Sequence, residues 1–341
     1  MTYQKYTVLI TGATRGIGYA TAQLFLHHRQ RFGHVIVHGR TAASVQEARD
    51  QLVAATQCPP DMISTVFGDL ISRSQVHAMA KQIAALAKPI DVLINNAGAY
   101  PAVYSGVLVP TANLGDVECD VTFLQNHAHV VLLTLLVLPL MSPDARIVFV
   151  ASSLYKRAAD ALPDLIAETK RLHPTPTAPY NGARAYSVSK LYSLQSAHVL
   201  ASILRDPTTH LGSSAPFLAS ALLTSARNVS VVSVCPGFIP TTQLKRQSGL
   251  AARLVLDWVF PWLPFATSLE NGVRRVWFAA TEEISEEGLR SGALIEHDHP
   301  PRAVDMLPCV TDPEAATRVW NQTVELDGVP EWKVLSLSSS L

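Results

Sequence analysis

Charge is scarce and evenly balanced: 16% of the 341 residues are charged, with 27 Lys+Arg against 27 Asp+Glu. A net charge near zero argues against nucleic acid, and against a strongly anionic membrane, as the main partner. Cysteine is scarce too. Cys58, Cys119, Cys235 and Cys309 are scattered, and no C-x-x-C spacing offers a metal or redox pair. A reducing compartment fits that usage. The short cluster His297-Asp298-His299 is followed by Pro300 and has no third ligand at useful spacing, so no metal is expected. The opening stretch MTYQKYTVLITG runs straight into a strand pattern, without an apolar leader and cleavage site. The longest apolar run, 130–141, is about a dozen residues, short of the roughly twenty that span a bilayer. Together these absences lead to the expectation of a cytoplasmic protein.

What is present is apolar sequence, 48% of the chain, enough for a large interior and without a disorder signature. Short β-rich runs at 7–11, 35–38, 64–67, 92–95, 146–151, 229–235 and 293–296 alternate with helical patterns. The helical patterns lie at 17–30, 42–56, 74–86, 120–140, 186–204, 269–279 and 313–326. Alternation of this kind predicts an α/β fold with a doubly wound, seven-stranded parallel sheet. The near-continuous apolar character of the strands suits burial on both faces. One domain over 1–341 is expected, with a cofactor half at about 1–150, a catalytic and substrate half at about 151–300, and an extension at 301–341. Inserts at 99–118 and 154–182 follow strands, the end at which open α/β sheets bind ligands. An insert at 207–227 follows a helix and is expected to be structural or interfacial.

The first strand pattern ends in Gly12-Ala13-Thr14-Arg15-Gly16-Ile17-Gly18, and a helix pattern begins at once. Glycines there allow a tight turn and let a pyrophosphate approach backbone N–H groups at a helix N-terminus. The spacing is G-x-x-x-G-x-G rather than G-x-G-x-x-G, and a plain strand-to-helix turn would also explain one or two of these glycines. Tyr186 and Lys190 are spaced i, i+4 on one helix face, which brings an ammonium towards a phenol. A nearby cation favours the phenolate, so the pair suits proton transfer near neutral pH. The alternative is a surface Tyr/Lys pair.

These features, in order along about 7–296, resemble the short-chain dehydrogenase/reductase family of the ordinary type. Asn95-Asn96-Ala97-Gly98 looks like the family's N-N-A-G, and Tyr186-Ser187-Val188-Ser189-Lys190 matches its Y-x-x-x-K. Pro236-Gly237-Phe238-Ile239-Pro240-Thr241 matches its P-G-x-x-x-T. Ser152 falls where the family keeps its catalytic serine. Ser153 is the rival, but the strand period of two would turn it away. Asn126 matches the asparagine of the long central helix.

The resemblance implies Tyr186 as proton donor and acceptor, and Ser152 as a hydrogen-bond donor to the carbonyl oxygen. It also implies that Asn126 holds a water linking Lys190 to solvent. The implied cofactor contacts are Gly12, Thr14, Arg15, Gly16, Ile17, Gly18, Leu70, Asn96, Ala97 and Gly98, with Asp69 resembling the family's adenine-binding Asp. Tyr186, Lys190, Pro236, Gly237, Ile239 and Thr241 complete the set. Cofactor choice is read from His38-Gly39-Arg40-Thr41 after the second strand, where an NAD enzyme usually carries an acid. Arg40 and Arg15 instead suit a 2′-phosphate, which points to NADP(H).

Within the family, residues 179–191 and 125–129 are similar to the retinol-dehydrogenase and protochlorophyllide-reductase branch. The likeness breaks at His129 and Val130, where the branch has glycine and histidine. His127 and His129 point to different helix faces and make poor joint ligands. Aromatic residues Trp258, Phe260, Trp262 and Phe265 in the apolar 250–265 stretch suit a lid over a lipophilic or aromatic substrate. The expected partner is a small lipophilic carbonyl or alcohol. Peripheral membrane contact through 250–265 and homo-oligomer formation stay open. The implied activity is an NADP(H)-dependent carbonyl–alcohol interconversion. A C=C reductase and a non-catalytic dinucleotide sensor are the alternatives.

Overall fold

A computed structural model describes residues 6–100, 103–207, 228–239, 267–285, 289–296 and 300–334. All seven expected strands are present: β1 (Tyr6–Ile10), β2 (Phe32–Gly39), β3 (Ile63–Phe67), β4 (Ile90–Asn95), β7 (Met141–Val150), β8 (Ser230–Val234) and β9 (Leu294–Glu296). They pair in parallel. Two features depart from the sequence expectation. The 99–118 insert folds into an antiparallel hairpin of β5 (Gly106–Pro110) and β6 (Asp116–Asp120). An eighth strand, β10 (Arg302–Val304), adds to the main sheet antiparallel to β9. The sheet order is β10-β9-β8-β7-β4-β1-β2-β3. The order reverses between β1 and β4, and the crevice beyond their carboxyl ends is the ligand position in such sheets.

The period of two in the strands builds two cores. Leu9, Ile36, Leu93, Ile147 and Val231 face one side of the sheet. Val8, Val35, Ile94, Val148 and Val232 face the other. Helices α1 (Gly16–His27), α2 (Ala42–Thr56) and α8 (Leu269–Thr281) cover the second face. The first is covered by α3 (Arg73–Ala85), α5 (His129–Val137) and α7 (Gly182–Arg205), joined by α10 (Pro313–Leu326).

Local chemistry sets the helix starts. Thr41 and Ser44 form a reciprocal capping box at α2, and Ser72 caps α3. Asp312, between the short α9 (Pro308–Thr311) and α10, caps α10 with Pro313 at the first position. Asn181 accepts from Arg184 N at 3.0 Å, so α7 starts four residues before Tyr186 rather than at it. The expected 120–140 helix is interrupted. A short helical turn α4 (Val121–Phe123) leads into a wider π turn (Leu124–Ala128) that carries Asn126, and α5 follows.

One helical run, Val121–Leu140, is by length and composition apolar enough to cross a membrane, which corrects the sequence reading. In the fold, 89% of its apolar window is buried, against the sheet, α3 and the C-terminal helix. The 154–182 insert holds a 3-10 turn (Ser153–Ala158) and α6 (Leu165–Leu172). The 207–227 insert from residue 208 on, the aromatic stretch 250–265 and His297 to His299 lie outside the described residues.

Candidate active site

The glycine turn sits directly beyond β1 and is clamped from β4. Gly12 has a positive φ of 65°, and an added Cβ would stand 2.9 Å from Ala97 Cα. A Cβ on Gly18 would collide with Asn96 Nδ2 and stand 2.5 Å from the Gly12 carbonyl oxygen. Asn96 closes the clamp: Nδ2 donates to Thr11 O at 2.8 Å and to Gly12 O at 3.2 Å. The backbone N–H groups of Asn96 and Ala97 both donate to Thr11 Oγ1 at 2.9 Å. The missing side chains leave a cradle at the N-terminus of α1, the chemistry a pyrophosphate needs.

The second strand closes the other side. Ala13 N donates to His38 O at 2.9 Å, and Thr14 packs over Gly39. Arg15 and Arg40, both exposed, therefore flank the same turn. Asp69 turns its loop by accepting from Ile71 N at 3.0 Å, and Leu70 beyond it is buried. At the end of β8, Thr267 N donates to Phe238 O at 2.7 Å, while Arg275 donates to Cys235 O at 2.8 Å. These bonds fix Pro236, Gly237 and Ile239 at the sheet's carboxyl end. Thr241 lies outside the described residues.

The residues picked for chemistry converge in space. Tyr186 is 7% exposed, and its hydroxyl shares a hydrogen bond with Ser152, which follows β7. Ser153 is exposed to solvent. Lys190 is buried, its Nζ donates to Val150 O at 2.8 Å, and it stands 5.9 Å from the Tyr186 ring centre. A Cβ on Gly98 would lie 3.4 Å from Lys190 Nζ and 3.3 Å from Asn126 Oδ1, so Gly98 is the meeting point of the three elements.

One sequence expectation needs correction here. Proximity of Lys190 was expected to favour the phenolate. Burial is the larger effect and pushes Tyr186 up to about 12, with the Ser152 hydrogen bond pulling the other way. Burial also brings Lys190 down to about 8, with the Cys235 thiol opposing. Near neutral pH the phenol is protonated and the ammonium largely so. The Asn126 side chain is held between Ala99 and Ser189. It accepts from Ala99 N at 2.8 Å and donates to Ala99 O at 2.8 Å and to Ser189 Oγ at 3.2 Å.

Sequence reasoning missed three neighbours. The Tyr100 ring lies 5.0 Å from the Tyr186 ring, at a tilt of 43°, in the loop after β4. Its position two residues beyond Asn-Asn-Ala-Gly was the available signal. His38 and His129 are both buried beneath the cofactor loops, and only tertiary packing shows what they hold.

The short chain dehydrogenase family model matches residues 6–162. Retinol dehydrogenase 14 of Mus musculus is 29% identical, with 95% of this chain and 86% of that protein covered. Polyprenol dehydrogenase of Homo sapiens is 26% identical over 94% of this chain and 84% of its own length. Among solved structures, YwfH, described as an NADPH dependent reductase involved in bacilysin biosynthesis, shares the fold at a TM-score of 0.58. It is 18% identical, with 86% of this chain and 97% of that chain covered. A blue fluorescent protein from a metagenomic library in complex with NADPH follows at 0.55, 20% identical, over 86% and 96%. The motifs and the sheet order agree with this likeness to short chain dehydrogenases, which extends along nearly the whole chain to proteins named as retinol dehydrogenases.

Proposed function

We propose that the protein interconverts a carbonyl and an alcohol on a lipophilic small molecule with NADP(H), Tyr186 giving or taking the proton. The observation that carries this reading is the buried Tyr186 phenol, hydrogen-bonded to Ser152 and i, i+4 from Lys190 at the sheet's ligand end. Bound nicotinamide supplies or accepts the hydride. The chain's residues do the rest. In reduction, Tyr186 passes its proton to the carbonyl oxygen while Ser152 donates a hydrogen bond to that oxygen as charge builds. Lys190, largely protonated at neutral pH, lowers the cost of the phenolate left behind. A protonated resting phenol suits the reductive direction.

Arg15 and Arg40 beside the turn, with no acid at the end of β2, support NADP(H) over NAD(H). A lipophilic substrate is supported by two relatives named for lipophilic alcohols, by the 258–265 aromatics, and by the Tyr100 ring against Tyr186. The test is NADPH oxidation against lipophilic ketones and aldehydes by wild type and Tyr186→Phe. The variant is expected to bind NADPH and lose about a hundred- to ten-thousand-fold in kcat. Near-full turnover by Tyr186→Phe would remove the mechanism.

A further inference from the structure

The Gly68-Asp69-Leu70 loop is held by two imidazoles from below. His38 Nε2 donates to Gly68 O at 3.0 Å, and its Nδ1 accepts from Gly12 N at 3.2 Å. His129 Nδ1 donates to Leu70 O at 2.6 Å. The carbonyls on both sides of Asp69 are thus fixed by neutral rings, each below 3% exposed. Burial keeps both rings neutral by pushing them down to about 4. A protonated ring could not accept from Gly12 N, so the His38 bridge requires the neutral form.

His129 also reaches the C-terminal segment. Its Nε2 faces Asp327 Oδ1 at 3.9 Å, both side chains being fully packed. Among the described residues, neither Asp327 oxygen nor His129 Nε2 has a hydrogen-bond partner. Asp327 closes α10, whose Thr323 Oγ1 accepts from His127 Nε2 at 2.8 Å. Arg73 at the start of α3 donates to Leu326 O at 3.3 Å, so the end of α10 and the 68–70 loop share one buried junction. None of this serves the proton chemistry at Tyr186.

We infer that His129, backed by Asp327, is a positioning residue for the adenine end of the dinucleotide. It holds the Leu70 carbonyl, and with it the Asp69 loop, and it links that loop to the seating of the C-terminal segment. The inference rests on the NADP(H) reading above. Linkage makes it reciprocal: a ligand that orders the loop also steadies residues 323–329.

The test is calorimetric titration of the full chain with 2′-phospho-ADP-ribose, the adenine half of the cofactor, in wild type, His129→Ala, His129→Asn and Asp327→Ala. His129→Ala should weaken binding about five- to tenfold, the effect of losing one preorganised hydrogen bond. His129→Asn keeps an N–H near the Nδ1 position and should restore most of the affinity. Asp327→Ala should fall between. In turnover, the KM for NADPH should rise in His129→Ala by far more than kcat falls. Hydrogen exchange at 323–329 should slow on ligand addition in wild type and not in His129→Ala. Unchanged affinity in His129→Ala overturns the inference, as does an equal loss in His129→Asn, which would assign the effect to ring shape. If His129→Ala does not fold, His129→Asn and Asp327→Ala decide it by the same affinities and exchange. If wild type binds neither the fragment nor NADPH, the cofactor reading falls and the inference with it.

Discussion

Adding one methyl group at Gly18 should be enough to spoil the cofactor turn. The new Cβ would meet Asn96 Nδ2 and stand 2.5 Å from the Gly12 carbonyl oxygen, where an ordinary contact needs about 3.4 Å. The Gly12 oxygen is backbone and cannot swing aside, so Asn96 or the whole turn must shift. Moving Asn96 breaks its bonds to Thr11 O and Gly12 O. Each buried group left unpaired costs about 1–3 kcal/mol. Alanine returns about 1 kcal/mol through better helix propensity. The net expectation for Gly18→Ala is a stability loss of about 2–4 kcal/mol. Nucleotide affinity should fall at least thirtyfold, since about 2 kcal/mol of distortion lies at the cradle itself. Urea unfolding and titration with NADPH read the two quantities separately. Pairing Gly18→Ala with Asn96→Ala should cost less than the sum of the single changes, because one side of the collision is then gone. A Gly18→Ala protein with wild-type stability and NADPH affinity would refute the account of the turn.

Three further outcomes are expected. Ser152→Ala should cut kcat far more than Ser153→Ala, because Ser152 meets Tyr186 while Ser153 faces solvent; equal effects in steady-state kinetics would contradict this. Burial depresses His38 and His129 to about 4 and His127 to about 3 from an ordinary 6.5, so the unfolded chain takes up protons first as pH falls. Stability is then full above pH 6.5 and drains towards pH 4, by up to about 3 kcal/mol for His38 alone. A urea midpoint that stays flat between pH 7 and pH 4.5 would exclude it. Trp320→Ala removes a fully buried ring whose Nε1 donates to Trp332 O at 2.7 Å, and should cost about 3–5 kcal/mol in urea unfolding. A much smaller loss would show that α10 is not part of the cooperative core.

Much of the site was legible in the sequence because its signals are local. Tyr186 and Lys190 share a helix face at i, i+4, Ser152 stands at a strand end, and the glycines mark a turn; each is a statement about a few adjacent residues. Seven strands were likewise found by their apolar runs, since a strand buried on both faces needs little else. The start of α7 was missed although its cap was in view, because Asn181 lies in a loop-like stretch whose hydrogen bond to Arg184 N sets the boundary. Strand β10 carries only three residues, none fully buried, and has no apolar pattern to announce it; pairing with β9 creates it.

Tertiary structure decided whatever depends on burial and on partners distant in sequence. The proximity of Lys190 pointed to a phenolate, and only enclosure of Tyr186 shows desolvation to be the larger effect. The spacing of His127 and His129 showed that they diverge, but not that one meets Thr323 and the other Leu70 and Asp327. A period of 3.6 tells which way a side chain leaves its helix, not what the fold brings to meet it. The sequence by itself therefore determined the seven parallel strands, the glycine turn and the pairing of Tyr186 with Lys190. The protonation state of that pair, the placing of Tyr100 against it and the bracing of the 68–70 loop by two neutral histidines came from packing, because desolvation and long-range contact exist only once the chain has closed.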